Sequence, residues 1–339
     1  VRTLVAIVCV CLLLAFVHAA SSIVIPFLLA LAVATAFQPI ARRIARRGWP
    51  PFVAAILSTT MILLFVGGAG VILYLAASDL AAAGPAYAAR LGELQGQLAT
   101  WLDERALHDA ARSVREFAFE GPLMAMAQSS VLELGSHLQT MFFVLVITAF
   151  IQIEARQYRR KLIKAFEGPS QLRGMMAGLR EVQRYMLVKL VLSALNGVFL
   201  GLWCWAWGVD SPLLWGVAAF ALNFIPVLGS ALAALPPIAM AFLTDGFGVA
   251  IGVAGGYVMV NLVVDNIVEP RIMGHTLGLS PLVIVLSMLV WGFVLGPVGA
   301  ILAIPLTMTV KIMFERDDDL QRIALIMGDG SDLTTKRES

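Results

Sequence analysis

Asp265 and Glu269 stand four residues apart, with Asn266 between them and Arg271 just beyond. On a helix this spacing puts both carboxylates on one face, one turn apart. Two like charges that close do not both stay ionised in an apolar setting unless they share a cation or a proton. The chemistry on offer is therefore exchange of protons or cations rather than bond cleavage. Arg271 offers a second reading, a structural ion pair with one of the two acids. If Asp265 sits at an aqueous boundary, its charge costs little and asks for no functional reason.

Other chemistries find little support. His18, His108, His137 and His275 are scattered, which argues against a metal centre or a catalytic triad. Cys9, Cys11 and Cys204 sit inside apolar stretches and have neither zinc nor disulfide-framework spacing. No glycine-rich phosphate loop followed by Lys and Ser or Thr is present, so ATP-driven work by this chain alone is not expected. A formal net charge of +2 gives no reason to expect nucleic acid as a partner. No enzyme activity, cofactor or metal is expected.

The elements that position these residues are apolar to an unusual degree. Of 339 residues 60% are hydrophobic and 14% charged, against about half and a quarter in soluble domains. The excess is gathered in blocks near 3–20, 21–38, 51–77, 134–153, 186–208, 212–244, 246–264 and 281–313. Such blocks are long enough to cross a hydrocarbon core of about 30 Å. Backbone polar groups in lipid must be satisfied within the segment, which requires helices. The short alternating segments of a barrel are not seen. Arg2, the apolar run after it and Val17-His18-Ala19 imitate a cleaved signal, but a second apolar block follows at once, so a retained helix is expected.

Charge sets the expected orientation. Arg42, Arg43, Arg46 and Arg47 follow the second block, which makes that loop and the amino terminus cytoplasmic. The acidic stretch 79–132 then falls outside, and the basic stretch 154–185 inside. Each carries an apolar stripe at helical spacing: Leu94, Leu98, Trp101 and Leu102 in the first, Leu172, Met175, Met176 and Leu179 in the second. Gly168-Pro169 is expected to separate two helices. Trp203, Trp205 and Trp207 close the fifth block as an interfacial belt would. Lys189 is expected to snorkel to the cytoplasmic face.

Two blocks are broken in the middle, at Asn223-Phe-Ile-Pro226-Val-Leu-Gly229 and at Trp291-Gly-Phe-Val-Leu-Gly296-Pro297-Val-Gly299. Proline inside a helix removes a hydrogen bond and clashes with the preceding turn, so both blocks are expected to be helical hairpins, crossing fully or re-entrant. Lys311 and Arg316 then place the carboxy terminus in the cytoplasm. The two blocks also resemble each other at one offset: Ser211-Pro212-Leu213 with Ser280-Pro281-Leu282, Phe224 with Phe293, Ala231 with Ala300, Pro236 with Pro305. One simple helix plus one hairpin, twice over, has the form of an inverted repeat. Asn196 and Asn223 are polar residues in apolar helices, suited either to capping a broken helix or to joining two helices. Gly248, Gly252 and Gly256 have the small-xxx-small spacing of close helix packing, within or between subunits.

The stretch Asn223 to Gly229 resembles the hallmark of the autoinducer-2 exporter family of bacterial membrane proteins. So do Asp265-Asn-Ile-Val-Glu269-Pro-Arg271-Ile-Met-Gly274 with Leu277-Gly-Leu-Ser280-Pro-Leu282, and Trp291-Gly292 through Gly296 and Gly299 to Ile304-Pro-Leu306. Gln38-Pro39-Ile40 with its arginines, Trp49-Pro50 and the run from Phe150 to Lys161 are similar too. The resemblance spans nearly the whole chain. It implies a transporter: members are described as exporters of autoinducer-2, and others look like sodium/proton antiporters. It supplies no agreed set of binding residues.

The expectation is thus an all-α polytopic membrane protein. Its parts are amino-terminal helices (1–78), an extracytoplasmic amphipathic segment (79–132), a membrane helix (133–155), cytoplasmic basic helices (156–185), a transport core (186–314) and a polar tail (315–339). The expected path for solute or ion runs past Asn223, Pro226, Gly229, Asp265, Asn266, Glu269, Arg271, Gly296, Pro297 and Gly299. Expected partners are the lipid bilayer, a small polar solute or cation, and further copies of the chain. The expected function is export of a small polar solute from a bacterial inner membrane. A cation/proton antiporter and a non-transporting membrane scaffold are the alternatives.

Overall fold

A computed structural model describes residues 2–105, 107–116, 140–155, 169–226, 228–273, 278–315 and 320–328. The histidines at 137 and 275, the Gly168 break, most of the basic segment from 156 to 168 and the end of the tail lie outside them. Among the described residues the chain is helical and has no strand.

The amino-terminal part contains α1 (Arg2–Ala19), α2 (Ser21–Arg46), α3 (Pro51–Glu104) and α4 (His108–Glu116), followed by α5 (Thr140–Ala155). The Pro50-Pro51 pair starts α3: Pro50 is extended, with ψ 142°, and Pro51 takes the first helical position, where its missing N–H costs nothing. α3 runs on for 54 residues, about 81 Å, so the change in composition at residue 78 is not a change in secondary structure. Thr148 of α5 is fully buried and donates to Ala30 O of α2 at 3.3 Å.

The carboxy-terminal part contains α6 (Pro169–Ala206), α7 (Pro212–Leu222), α8 (Gly229–Asp245), α9 (Phe247–Val260), a π-helical segment (Asn261–Val268), α10 (Glu269–Met273), α11 (Pro281–Phe314) and α12 (Gln321–Met327). Among the described residues five helices are long and apolar enough to cross a membrane: Ser21–Arg46, Phe52–Ile72, Gly178–Ala206, Phe247–Val268 and Pro281–Phe314. Their outer faces carry Ile23 at 76% exposure, Leu64 at 71% and Leu195 at 62%. Water would penalise such a surface and lipid does not.

The last of these five is folded back on itself. A straight 34-residue helix would be about 51 Å long. Instead Lys311 Nζ lies 2.7 Å from Gly278 O, and Trp291 Nε1 donates to Thr307 Oγ1 at 3.0 Å. The reversal is made at Gly296, with φ 64° and ψ −153°, a conformation that a Cβ would oppose. Ser280 caps the first arm by accepting from Val283 N at 3.3 Å. The arms, 281–295 and 297–314, are about 22 and 27 Å long.

The first hairpin, α7 and α8, turns by a similar device. A Cβ on Gly229 would collide with the carbonyl of Leu222, and one on Gly299 would collide with that of Trp291. Leu222 and Trp291 are related by the same offset as the other paired positions of the two blocks.

Two hydrophobic cores hold these elements. One joins Leu200 and Cys204 of α6 with Trp215 and Ala219 of α7, Met240 and Ala241 of α8, and Val253 and Tyr257 of α9. The other joins Val182, Tyr185 and Met186 of α6 with Phe37 of α2, Ile62 of α3, and Ile304 and Met308 of α11. α6 is common to both, one core on each half of its length. Each hairpin therefore has its own core and its own stretch of α6. Backbones of α6 and α7 touch at Gly197 and Gly216, where a side chain on either would strike the other's carbonyl oxygen. Two glycines of the α9 stripe pack inside the subunit, and Gly248 is exposed: Gly252 and Gly256 lie beneath the rings of Trp207 and Trp203, and Trp203 Nε1 donates to Gly252 O at 3.0 Å. Only Trp205 of the three tryptophans is mostly exposed, at 69%, so the expected belt is partly an internal contact.

Candidate functional site

Between the two cores, α6 presents Lys189, Ser193 and Asn196, at i, i+4 and i+7 on one face. All three are buried, at 7%, 0% and 3% exposure, within the apolar segment Gly178–Ala206. Lys189 does not snorkel. Its Nζ lies 3.0 Å from Glu269 Oε1 and 2.9 Å from Oε2, with side-chain exposures of 8% and 18%. A lysine stem of four carbons reaches water only if no closer partner compensates the ammonium, and here Glu269 does. Arg271, the alternative partner considered for the acids, is exposed. Its near neighbour Arg184 reaches back to Ile272 O at 3.3 Å.

Asp265 is carried by the π-helical segment that continues α9, so the helix does not end at residue 264. A π-segment widens the turn by one residue per hydrogen bond and re-aims side chains, and such segments are frequent at functional sites. Asn266 Nδ2 donates five residues back to Asn261 O at 3.0 Å, and Asn266 itself is exposed. Asp265 is half-buried, beside Ser230 at the start of α8 and within electrostatic reach of both Lys189 and Glu269. Lys189 thus pairs with Glu269, and Asp265 stands within electrostatic range of the pair.

The first hairpin reaches the same seam through Asn223, which is 4% exposed at the end of α7. Asn223 Nδ2 donates to Ser193 Oγ at 2.8 Å, and Asn196 Nδ2 donates to Asn223 Oδ1 at 3.2 Å. Of the two roles open to these asparagines, joining two helices is the one observed. Pro226 lies in the turn itself, and Gly229 is buried at its exit. The seam keeps unmet acceptors: Asn196 Oδ1, Asn261 Oδ1 and Asp265 Oδ1 are buried without hydrogen-bond partners. Buried polar atoms are almost always paired, so these mark a place where a donor is missing.

The second hairpin tip goes elsewhere. Val294 O accepts from His18 Nδ1 at 2.9 Å, and Phe293 stacks on the His18 ring with centroids 6.0 Å apart. Gly296, Pro297 and Gly299 therefore lie at the α1–α2 turn, with Pro297 exposed and Gly299 buried. Of the residues expected on one path, Asn223, Asp265 and Glu269 come together with Pro226 and Gly229 nearby, and the second tip does not join them. Lys189 and Ser193 are the members that sequence reasoning left out of the site. Their spacing with Asn196 on an apolar helix was the signal that could have found them.

The comparisons agree with this architecture. The family model described as AI-2E family transporter matches residues 5–316. The chain is 31% identical to the AI-2 transport protein TqsA of Escherichia coli (strain K12), over 94% of this chain and 93% of that protein. It is 33% identical to a putative transport protein of Haemophilus influenzae, over 98% and 97% of the two chains. It is 30% identical to the putative transport protein YhhT of Escherichia coli (strain K12), over 94% and 91%. Multiple lipid-length helices, a buried polar seam and a match over nearly the whole length converge: this chain belongs to the AI-2E family of membrane transporters.

Proposed function

We propose that this protein is a secondary transporter that exports a small polar solute across a bacterial inner membrane, with both termini in the cytoplasm. A quorum-sensing signal of the autoinducer-2 type is the solute this reading favours, in line with the name of one relative, the AI-2 transport protein TqsA. The observation that carries the reading is the set of buried acceptors without donors at Asn196, Asn261 and Asp265. A hydroxyl-bearing solute passing the seam would supply the missing donors, and unpaired polar groups at that depth have little other justification. In this reading Asn223, Asp265 and Glu269 contact the solute, Pro226 and Gly229 shape the turn that admits it, and Asn266 and Arg271 line its exposed end. Gly296, Pro297 and Gly299 form a second, mobile end of the path at the α1–α2 turn. The two hairpins act as an inverted repeat whose units rock against α6 to give alternating access.

A second reading is favoured by the position of Asp265 within electrostatic range of the Lys189–Glu269 ion pair. A proton or sodium ion that replaced the ammonium at one carboxylate would release the lysine to the other, which is the requirement for cation/proton exchange. A homo-oligomer fits either reading, since Leu98 and Trp101 leave 47% and 46% of their surfaces exposed on the polar part of α3. Purified protein in liposomes, assayed in one preparation for autoinducer-2, sodium and proton flux, tests all of this. Flux of autoinducer-2 supports the first reading, and sodium-driven proton flux alone supports the second. Absence of any flux would leave the non-transporting scaffold.

A further inference from the structure

A second polar site lies away from the seam. The ends of α2, α3 and α5 enclose a pocket of about 250 Å³. Gln38, Arg42 and Arg46 of α2 and Gln152 of α5 supply its polar wall, and small side chains such as Ala54 and Ala55 of α3 leave the space open. Among the described residues no acidic side chain lines it. Gln38 is already engaged, its Oε1 accepting from Arg42 Nη2 at 2.9 Å and from Gln183 Nε2 at 3.1 Å. Gln152 is not: both Oε1 and Nε2 are buried without a partner. Burying an amide with neither atom paired is costly, so a wholly unpaired amide beside two arginines marks a missing ligand. That ligand must accept from guanidinium and amide N–H groups, and must offer a donor to Gln152 Oε1. Its arginines lie at the end of α2, which closes at Arg46, close in sequence to Trp49, which is 53% exposed. Arginine and tryptophan at the end of a span are the anchors of the headgroup region.

We propose that this pocket binds a phosphate-bearing anion, and that its source is the headgroup of an anionic phospholipid with free hydroxyls, such as phosphatidylglycerol. The guanidinium fork of Arg46 suits phosphate oxygens in bidentate geometry, with the positive charge of Arg42 beside it. Gln152 Nε2 donates to a further phosphate oxygen while its Oε1 accepts from a headgroup hydroxyl. Phosphatidylcholine offers the same phosphate but is disfavoured, because its quaternary ammonium has no N–H or O–H to donate and is repelled by the arginines. The test is native mass spectrometry of the delipidated full chain, titrated separately with phosphatidylglycerol, phosphatidylcholine and soluble glycerol phosphate. Phosphatidylglycerol should bind about tenfold better than phosphatidylcholine, the equivalent of one good polar contact. Arg46→Gln, which removes an exposed charge, and Ala45→Phe, which fills the pocket, should each abolish that preference without lowering the lipid-free melting temperature. Equal binding of the two lipids, or a preference that survives both variants, overturns the proposal. Glycerol phosphate binding as tightly as the lipid, and lost in Arg46→Gln, would overturn the lipid source in favour of a soluble phosphate.

Discussion

Lys189 of α6 and Glu269 of α10 form a two-pronged, largely buried ion pair, 2.9 and 3.0 Å from ammonium to the two carboxylate oxygens, at the end of the apolar span that closes at Val268. The pair joins the helix shared by both hydrophobic cores to the end of the π-helical segment. Removing one partner strands the other's charge in an apolar setting, at a cost of about 3–5 kcal/mol. Lys189→Met and Glu269→Leu should each lower the yield and melting temperature of the detergent-purified protein. The double variant should recover more than half of the loss while remaining inactive in the flux assay. Additive losses in the double variant would dissolve the pair as an energetic unit.

Asp265 has a buried oxygen with no partner to lose, so Asp265→Asn should leave folding nearly intact. The same change removes a titratable group from the seam. Flux by Asp265→Asn is expected to lose its dependence on pH or sodium while the protein stays folded and assembled. Retention of the wild-type ion dependence in both Asp265→Asn and Glu269→Gln would take these acids out of the mechanism.

Gly296 holds the second hairpin reversal at φ 64° and ψ −153°, which an L side chain rarely adopts. Gly296→Ala should cost about 1–3 kcal/mol, read as a lower melting temperature. Gly248→Ala is the control. That glycine is helical and meets nothing within 4 Å, so its replacement should be neutral or slightly stabilising.

Tyr87, on the polar part of α3, donates to Asp210 Oδ2 at 2.8 Å and ties α3 to the α6–α7 turn. Burial first, then the hydrogen bond and the charge of Asp210, push its phenol from the ordinary 10.0 up to about 12. The folded value lies above the unfolded one, so the folded state holds the proton more tightly. The contribution is complete below about pH 10 and is lost as pH rises to about 12. Thermal unfolding of the wild type should therefore weaken more steeply over this interval than that of Tyr87→Phe. At neutral pH the variant should lose about 1 kcal/mol. Parallel slopes for the two proteins would contradict the assignment.

Orientation can be read with single cysteines in a background lacking Cys9, Cys11 and Cys204. Ala45→Cys should be shielded from an impermeant thiol reagent in intact cells, and Gln97→Cys should be labelled. External labelling at Ala45 would reverse the topology and undo the inverted-repeat proposal with it.

The sequence by itself determined what depends on composition along the chain. Apolar blocks too long for a soluble core must be helices, because lipid offers the backbone no other hydrogen-bond partner. Pro226, Gly229, Gly296 and Pro297 marked the two breaks, because the obstruction they raise to a helix is local. The motifs around these breaks also carried the family. Tertiary structure alone decided which polar groups meet. Asn223 and Ser193 are thirty residues apart in sequence, and Lys189 and Glu269 eighty. Nothing in local periodicity says whether a lysine reaches water or a carboxylate. That choice depends on which helix occupies the space next to it. It also decided that α9 continues past residue 264 as a π-segment, and that the two hairpins are divided between two cores on one shared helix. The matched positions of the two blocks mark where each hairpin turns, whereas the relative placement of the hairpins is fixed by the side chains that α6 turns to each.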